Sequence, residues 1–351
     1  MSETLTSVRR EPVRLQTGQP RELRIPDLFT GVLSGEPALN PYEAKVRSES
    51  ETWTKEIAQM SNSMAKILTR ANFPYLISLS APDADAEAFR MGCDWCIWAF
   101  VFDDLFDEGI MKDKTIVAAE EMIATLAIMD NTHPPVNRKQ YPLRGTLPQV
   151  CEQFLAFYGL TIVHDELIAS DRATATLEDD PSKMSTGLDV AISDYIDTRR
   201  QSIGSYCLFV VVEWAHGIQL PQAVIEHPSV AICERAAADL TWLVNDILSY
   251  KKDLAFGVEH NIICLFKRRG FSEQEAVGKT NNLMDERQRE WKKAVSELPS
   301  WGEKVDHEVR KYLDACRDVA RANLYWSFKS GRYLSPEESD RVRKAHVLDL
   351  A

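Results

Sequence analysis

Along most of the chain, apolar positions recur at intervals of three and four, and the breaks fall at proline, glycine and short polar clusters. Pro41-Tyr42-Glu43-Ala44 has the look of a helix start, and the pattern continues to about Met60. A second helix is expected near Ser63–Asn72, stopping at Pro74. The acids of Asp83-Ala84-Asp85-Ala86-Glu87 open a longer helix that Gly109 ends. Further helices are expected over about Asp113–Met129, Leu147–Ser170, Ser185–His216 with a break near Gly204, Ser229–Leu254, Asn261–Arg269, Ser272–Leu298 and Glu303–Ser330. No run alternates with period two between hairpin turns, so almost nothing reads as a strand.

The fold class is therefore all-α. Residues 1–40, rich in Pro, Gly, Thr and Arg, are expected as a flexible arm and loops, 41–335 as one domain, and 336–351 as a C-terminal tail.

Composition narrows the function. The chain has 351 residues and a formal net charge of -12. That length buries a sizeable core without staples. That charge argues against nucleic acid and against an anionic membrane surface. An anionic substrate then needs cations to bridge it to the protein. Seven scattered cysteines, among them Cys151, Cys207, Cys264 and Cys316 in apolar surroundings, suit reduced thiols and a cytoplasmic protein. Cys93 and Cys96 form a lone C-x-x-C, which reads as helix core and not as a zinc site. The histidines, from His133 to His346, show no metal-ligand spacing. Nothing reads as a signal peptide or a membrane span.

The candidate chemistry starts at Phe102-Asp103-Asp104-Leu105-Phe106-Asp107-Glu108, directly after the apolar run Trp95–Val101. On a helix, Asp103 and Asp107 lie one turn apart on one face. Carboxylates at the end of an aromatic-rich helix suit hard cations at the mouth of an apolar cavity. Such a four-acid pattern arises by chance about 0.2 times in a chain of this composition, so it needs a partner. The helix expected at Ser229–Leu254 carries Asn245, Ser249 and Asp253 at steps of four. Each such step drifts about 40° around a helix, so amide, hydroxyl and carboxylate share one ridge, a ligand set suited to an octahedral Mg²⁺. Two further pieces are Arg199-Arg200 and the pair Arg332-Tyr333, the latter able to close over an anion with forked and hydroxyl donors.

Together these motifs resemble those of the class I terpene synthases, the metal-dependent cyclases of linear prenyl diphosphates. Asp103-Asp104-x-x-Asp107-Glu108 resembles their aspartate-rich motif, and Asn245-Asp246-x-x-Ser249-x-x-x-Asp253 their second metal motif. Arg199 matches the pyrophosphate-sensing arginine in spacing, and Arg332-Tyr333 the C-terminal Arg-Tyr pair. Asp-Asp-Leu-Phe-Asp-Glu-Gly and Trp-Ser-Phe-x-Ser-Gly-Arg-Tyr look like the forms of single-domain sesquiterpene cyclases of filamentous fungi.

The resemblance implies a helical bundle around an apolar cavity and three Mg²⁺ ions, with Mn²⁺ a possible substitute. Asp103 would hold two ions from one wall, with Asp107 at the same motif, and Asn245, Ser249 and Asp253 the third. Arg199, Lys252, Arg332 and Tyr333 would donate to the diphosphate. Ser202 and the carbonyl of Ile203 sit where the family places its linker and effector. Phe102 and Trp326, each beside a motif, are preferred over Phe73, Tyr75 and Trp98 as aromatic contacts for a carbocation. The pattern departs from the family's at Asp253, where Glu is commoner. The expected substrate is farnesyl diphosphate, with geranylgeranyl or geranyl diphosphate as alternatives. Chain elongation by a prenyltransferase and a silent isoprenoid-binding protein are rival readings. A monomer or a homodimer is expected.

Overall fold

The computed structural model describes residues 21–107, 111, 114–129, 132–148 and 188–350. The helix expected at Leu147–Ser170, together with Glu108, Gly109 and Cys151, falls largely or wholly outside the described residues.

The helices are α1 (Glu43–Ile57), α2 (Asn62–Ala71), α3 (Phe73–Ser80), α4 (Ala86–Asp107), α5 (Thr115–Met129), α6 (Leu188–Ser202), α7 (Ser205–Ala215), α8 (Gln222–Ile225), α9 (Pro228–Phe256), α10 (Ile262–Arg268), α11 (Glu273–Ser296), α12 (Glu303–Lys329) and α13 (Pro336–Ala345). Their ends follow local chemistry. Asp85 accepts the first free amides of α4, from Glu87 at 3.0 Å and Ala88 at 2.8 Å. Reciprocal capping boxes start α11 at Ser272 and Glu275, and α13 at Ser335 and Glu338. The break expected near Gly204 is real: α6 and α7 meet there with φ at 79°, a left-handed turn that suits glycine.

Helix α9 is the axis of the bundle. From Ala236 to Tyr250 almost every side chain is buried, as expected of a helix surrounded by others, and it packs most extensively on α11 and α12. The fold class expected from the pattern holds.

The sheet is as small as expected, and two boundary expectations need correction. Two three-residue strands exist, β1 (Glu22–Arg24) and β2 (Val347–Asp349), paired antiparallel with Leu23 opposite Leu348. Both leucines are buried. Three residues are too short to show a period. The segment 21–40 is not a loose arm, because Leu23, Ile25, Leu28, Val32 and Leu33 insert into the core. Residues 336–350 are not a tail, since α13 and β2 pack and pair there. The short helix α3 was hidden by its composition: all eight residues are buried, so no polar face marks a period.

Trp326 on α12 joins this architecture to the site. Its ring is fully buried, and its indole N–H donates to the carbonyls of Ala71 at 2.7 Å and Asn72 at 3.1 Å. The amide of Gly331 donates to the carbonyl of Arg70 at 3.1 Å. The open end of α2 thus anchors the stretch leading to Arg332 and Tyr333. Replacing Trp326 with Phe keeps much of the apolar volume but removes the indole donor. It should cost about 1–3 kcal/mol of stability, read by denaturant unfolding.

Candidate active site

The candidate residues lie on four parts of the fold: the end of α4, the end of α6, one ridge of α9, and the turn after α12. At the end of α4, Phe102 is buried and its ring stacks on Trp98 at 5.0 Å. Asp103 is exposed, and Asp104 is half-buried. Asp107 closes the helix, and its side chain lies outside the described residues.

The turn after α12 bridges the two metal motifs. Arg332 grips Asp104 with a forked pair of hydrogen bonds, Nη2 to Oδ1 at 2.9 Å and Nη1 to Oδ2 at 3.3 Å. Its guanidinium lies 5.2 Å from the ring centre of Phe100 and 5.7 Å from that of Phe73, two rings stacked 4.1 Å apart. The hydroxyl of the next residue, Tyr333, accepts from Asn245 Nδ2 at 2.9 Å. Lys252 Nζ sits 5.8 Å from the centre of the Tyr333 ring.

Asn245 is also where α6 arrives. Arg199 Nη2 donates to Asn245 Oδ1 at 2.7 Å and to Asp246 Oδ1 at 3.0 Å, and its Nε to Asp246 Oδ1 at 3.1 Å. Asp246 has no solvent exposure. It also accepts from the Tyr195 hydroxyl at 2.7 Å and the Ile262 amide at 2.9 Å. Burial is the largest single influence on Arg199 and acts to lower its pKa, but the charge and hydrogen bonds of Asp246, with Tyr195 and Asp253, together outweigh it and raise the pKa above its ordinary value. Burial and the same carboxylate raise Tyr195 well above the usual phenol range. The Arg199 guanidinium is therefore a fixed charge.

Ser249 and Asp253 complete the ridge. Ser249 Oγ donates to Asp253 Oδ2 at 2.5 Å, and Asn261 Nδ2 donates to the same oxygen at 3.0 Å. Burial pushes the Asp253 carboxyl up to about 6, against the lowering pull of Lys252, Ser249 and Asn261. Among the described residues, no three His, Cys, Asp or Glu side chains form a ready metal cluster. The ridge nevertheless fits a hard divalent cation. An amide oxygen keeps a second lone pair while accepting from Arg199, a hydroxyl that donates its proton keeps its lone pairs, and the carboxylate adds another oxygen.

The other residues singled out from the sequence have the following places. Tyr75 donates to Glu36 at 3.2 Å, and Trp98 Nε1 to the Leu143 carbonyl at 3.0 Å. Trp326 serves the brace described above, and its ring meets Phe73, Phe100 and Tyr333 at 5.6–5.7 Å. Ser202 and Ile203 end α6 beside Gly204, where Ser202 Oγ donates to the Arg199 carbonyl at 3.4 Å. Cys93 and Cys96 are buried in α4 as free thiols.

Sequence reasoning assigned no role to Tyr195, Asp246 or Asn261, and none to Asp104 as the seat of Arg332. Tyr195 lies one turn before Arg199, a spacing that offers a signal for a shared partner. Asp246 lay inside the motif, but its partners come from other elements.

A family model described as terpene synthase family 2, C-terminal metal binding, matches residues 94–290. The chain belongs to this terpene synthase family. The match includes Asp103, Arg199 and the whole ridge, while Arg332 and Tyr333 lie beyond it. The chain is 53% identical over 341 residues to cycloaraneosene synthase of Sordaria araneosa, covering 96% of this chain and 93% of the relative. It is 36% identical over 346 residues to (+)-eremophilene synthase of Gibberella fujikuroi, covering 95% and 94%. Among solved structures, germacradien-4-ol synthase from Streptomyces citricolor superposes with a TM-score of 0.67 at 20% identity, covering 86% of this chain and 99% of that one. The last likeness shows the fold, that of the class I helical terpenoid synthases. This terpene synthase is a carbon–oxygen lyase, and its metal-binding family implies use of a divalent cation. No helix among its described residues is long and apolar enough to cross a membrane.

One buried group gives a pH signature. Burial and the charge of Arg199 lower the His260 imidazole from 6.5 to about 3. Between those values the unfolded chain binds a proton that the folded one refuses, so this residue makes stability fall as pH drops below about 6.5. His260→Phe should keep the ring contact with Tyr195 and flatten the decline, measured as thermal midpoints from pH 7 to about 4.5.

Proposed function

We propose that the chain is a Mg²⁺-dependent cyclase that ionises farnesyl diphosphate, releases diphosphate and closes the resulting carbocation to a sesquiterpene. The single observation supporting it is the bridge made by consecutive residues: Arg332 on Asp104 of the first motif and Tyr333 on Asn245 of the second, with Arg199 on the same asparagine.

In this reading Asp103 and Asp107 hold cations from the end of α4, and Asn245, Ser249 and Asp253 hold one from α9, three Mg²⁺ in all, with Mn²⁺ able to replace them. When bound, the metals supply charge that neutralises the departing diphosphate. The chain's own cations do the rest. Arg199, Lys252 and Arg332, with the Tyr333 hydroxyl, bind the oxygens of the leaving group. Arg332 waits on Asp104, and a substrate that carries more negative charge competes for its forked donors. The allylic C–O bond breaks with its electron pair leaving on the diphosphate. The cation then rearranges against aromatic faces, of which Phe102 lies beside the ionising site. It ends by losing a proton to give a hydrocarbon, or by taking water and then losing a proton to give an alcohol. Premature water must be excluded. Trp326 acts in this reading through its brace on Arg332 and Tyr333. A cytoplasmic enzyme, monomeric or dimeric, suits the composition and this substrate.

The two relatives are named for different products, cycloaraneosene and eremophilene. Chain length is therefore tested directly, by incubating the protein and Mg²⁺ with geranyl, farnesyl and geranylgeranyl diphosphate in parallel. The expected result is diphosphate release and a cyclic product from farnesyl diphosphate in gas chromatography. Preference for geranylgeranyl diphosphate would shift the reading to a longer substrate, and release from none of the three would overturn it. Asp103→Ala and Asn245→Ala should each abolish turnover with helical content intact by circular dichroism. Full activity in either removes the metal assignment.

A further inference from the structure

Gly257 ends α9 in the left-handed conformation, and the chain turns back along the helix it has just left. Four residues later it delivers Asn261, which is fully buried. Three of the four hydrogen-bonding directions of this amide are used, both donors among them. Nδ2 donates to Asp253 Oδ2 at 3.0 Å and to the Asp246 carbonyl at 2.8 Å. Oδ1 accepts from the Ile263 amide at 2.9 Å, which caps α10. Only a group with donors on one side and an acceptor on the other satisfies both helices, and asparagine has that arrangement at this reach.

The bond to Asp253 bears on a departure in the motif. Aspartate stands where the family more often has glutamate, so the carboxylate sits one methylene closer to the backbone. A shorter arm has fewer rotamers, and here one of its oxygens is held by two donors, Ser249 and Asn261. The other oxygen takes neither of those bonds.

We propose that Asn261 is a positioning residue for Asp253: it holds one carboxylate oxygen against α9, so that the other is presented to the cation in a fixed direction. The proposal rests on the reading of Asp253 as a metal ligand. Partners behind a metal ligand typically change metal affinity by 10- to 100-fold when removed. A helix cap alone changes stability and leaves metal affinity where it was.

The test separates these roles. Asn261→Ser keeps a side-chain acceptor favoured at a helix N-cap but is too short to reach Asp253. Mn²⁺ uptake by the full chain, with and without inorganic diphosphate, is followed by electron paramagnetic resonance. Thermal unfolding of the metal-free proteins is recorded alongside. Asn261→Ser should raise the half-saturating Mn²⁺ concentration by about 10- to 100-fold, and the Mg²⁺ concentration for half-maximal turnover should move with it. Asn261→Thr, a second capping residue without the amide donor, should do the same and serves if the serine variant fails to fold. A lowered unfolding midpoint with unchanged Mn²⁺ uptake makes Asn261 a cap only and overturns the proposal alone. Failure of the unsubstituted protein to take up Mn²⁺ overturns the proposed function and this proposal together.

Discussion

Asp246 is a carboxylate with no solvent exposure, and the site is built on the donors that surround it. An unpaired buried carboxylate is too costly to keep ionised, so it must be surrounded by donors. Four hydrogen bonds come from three places: the Tyr195 hydroxyl and two from the Arg199 guanidinium, both residues on α6, and the Ile262 amide at the start of α10. These are the elements that must stand in register for Arg199 and Asn261 to reach the ridge. The charge fixes their relative positions more sharply than apolar packing, which tolerates sliding. The same guanidinium then reaches Asn245, so one side chain touches both the buried carboxylate and the ridge beside it.

A second carboxylate, Asp239, does similar work with Arg200, the residue after Arg199. Arg200 binds Asp239 through Nε at 2.7 Å and Nη2 at 2.9 Å, and the Trp242 indole donates to Asp239 Oδ1 at 2.9 Å. Asp239 and Asp246 are seven residues apart, about two helical turns. Two consecutive arginines on α6 thus clamp α9 at two heights. Two such contacts resist rotation as well as translation of α6.

Much of this was legible in the sequence. The long helices announced themselves by period and by their caps, and the four motifs by residue type and spacing. What escaped had a common cause. The all-apolar helix α3 has no polar face, and β1 and β2 are too short to alternate. Asp246, Tyr195, Asn261 and Asp104 are ordinary polar residues whose roles depend on partners far along the chain, Asp104 and Arg332 being 228 positions apart. Spacing reports neighbours on one helix and is silent about neighbours across a fold. Trp326 adds a further case: its place beside a motif is legible in the sequence, and the commitment of its N–H to the end of α2 is not.

The pairing of Glu22–Arg24 with Val347–Asp349 brings the two ends of the described chain side by side. The Leu350 amide reaches the Arg21 carbonyl, and the Ile25 amide the His346 carbonyl, so the clasp extends beyond the strands. The described fold is thereby closed on itself by hydrogen bonds. The turn bearing Arg332 and Tyr333 is consequently not a loose end. It is tethered on one side by α12 and on the other by a closure that depends on the first residues of the fold. During synthesis on the ribosome, that closure has to wait until Val347–Asp349 have emerged, so the bridge between the two motifs is completed only after the helices before it have been made.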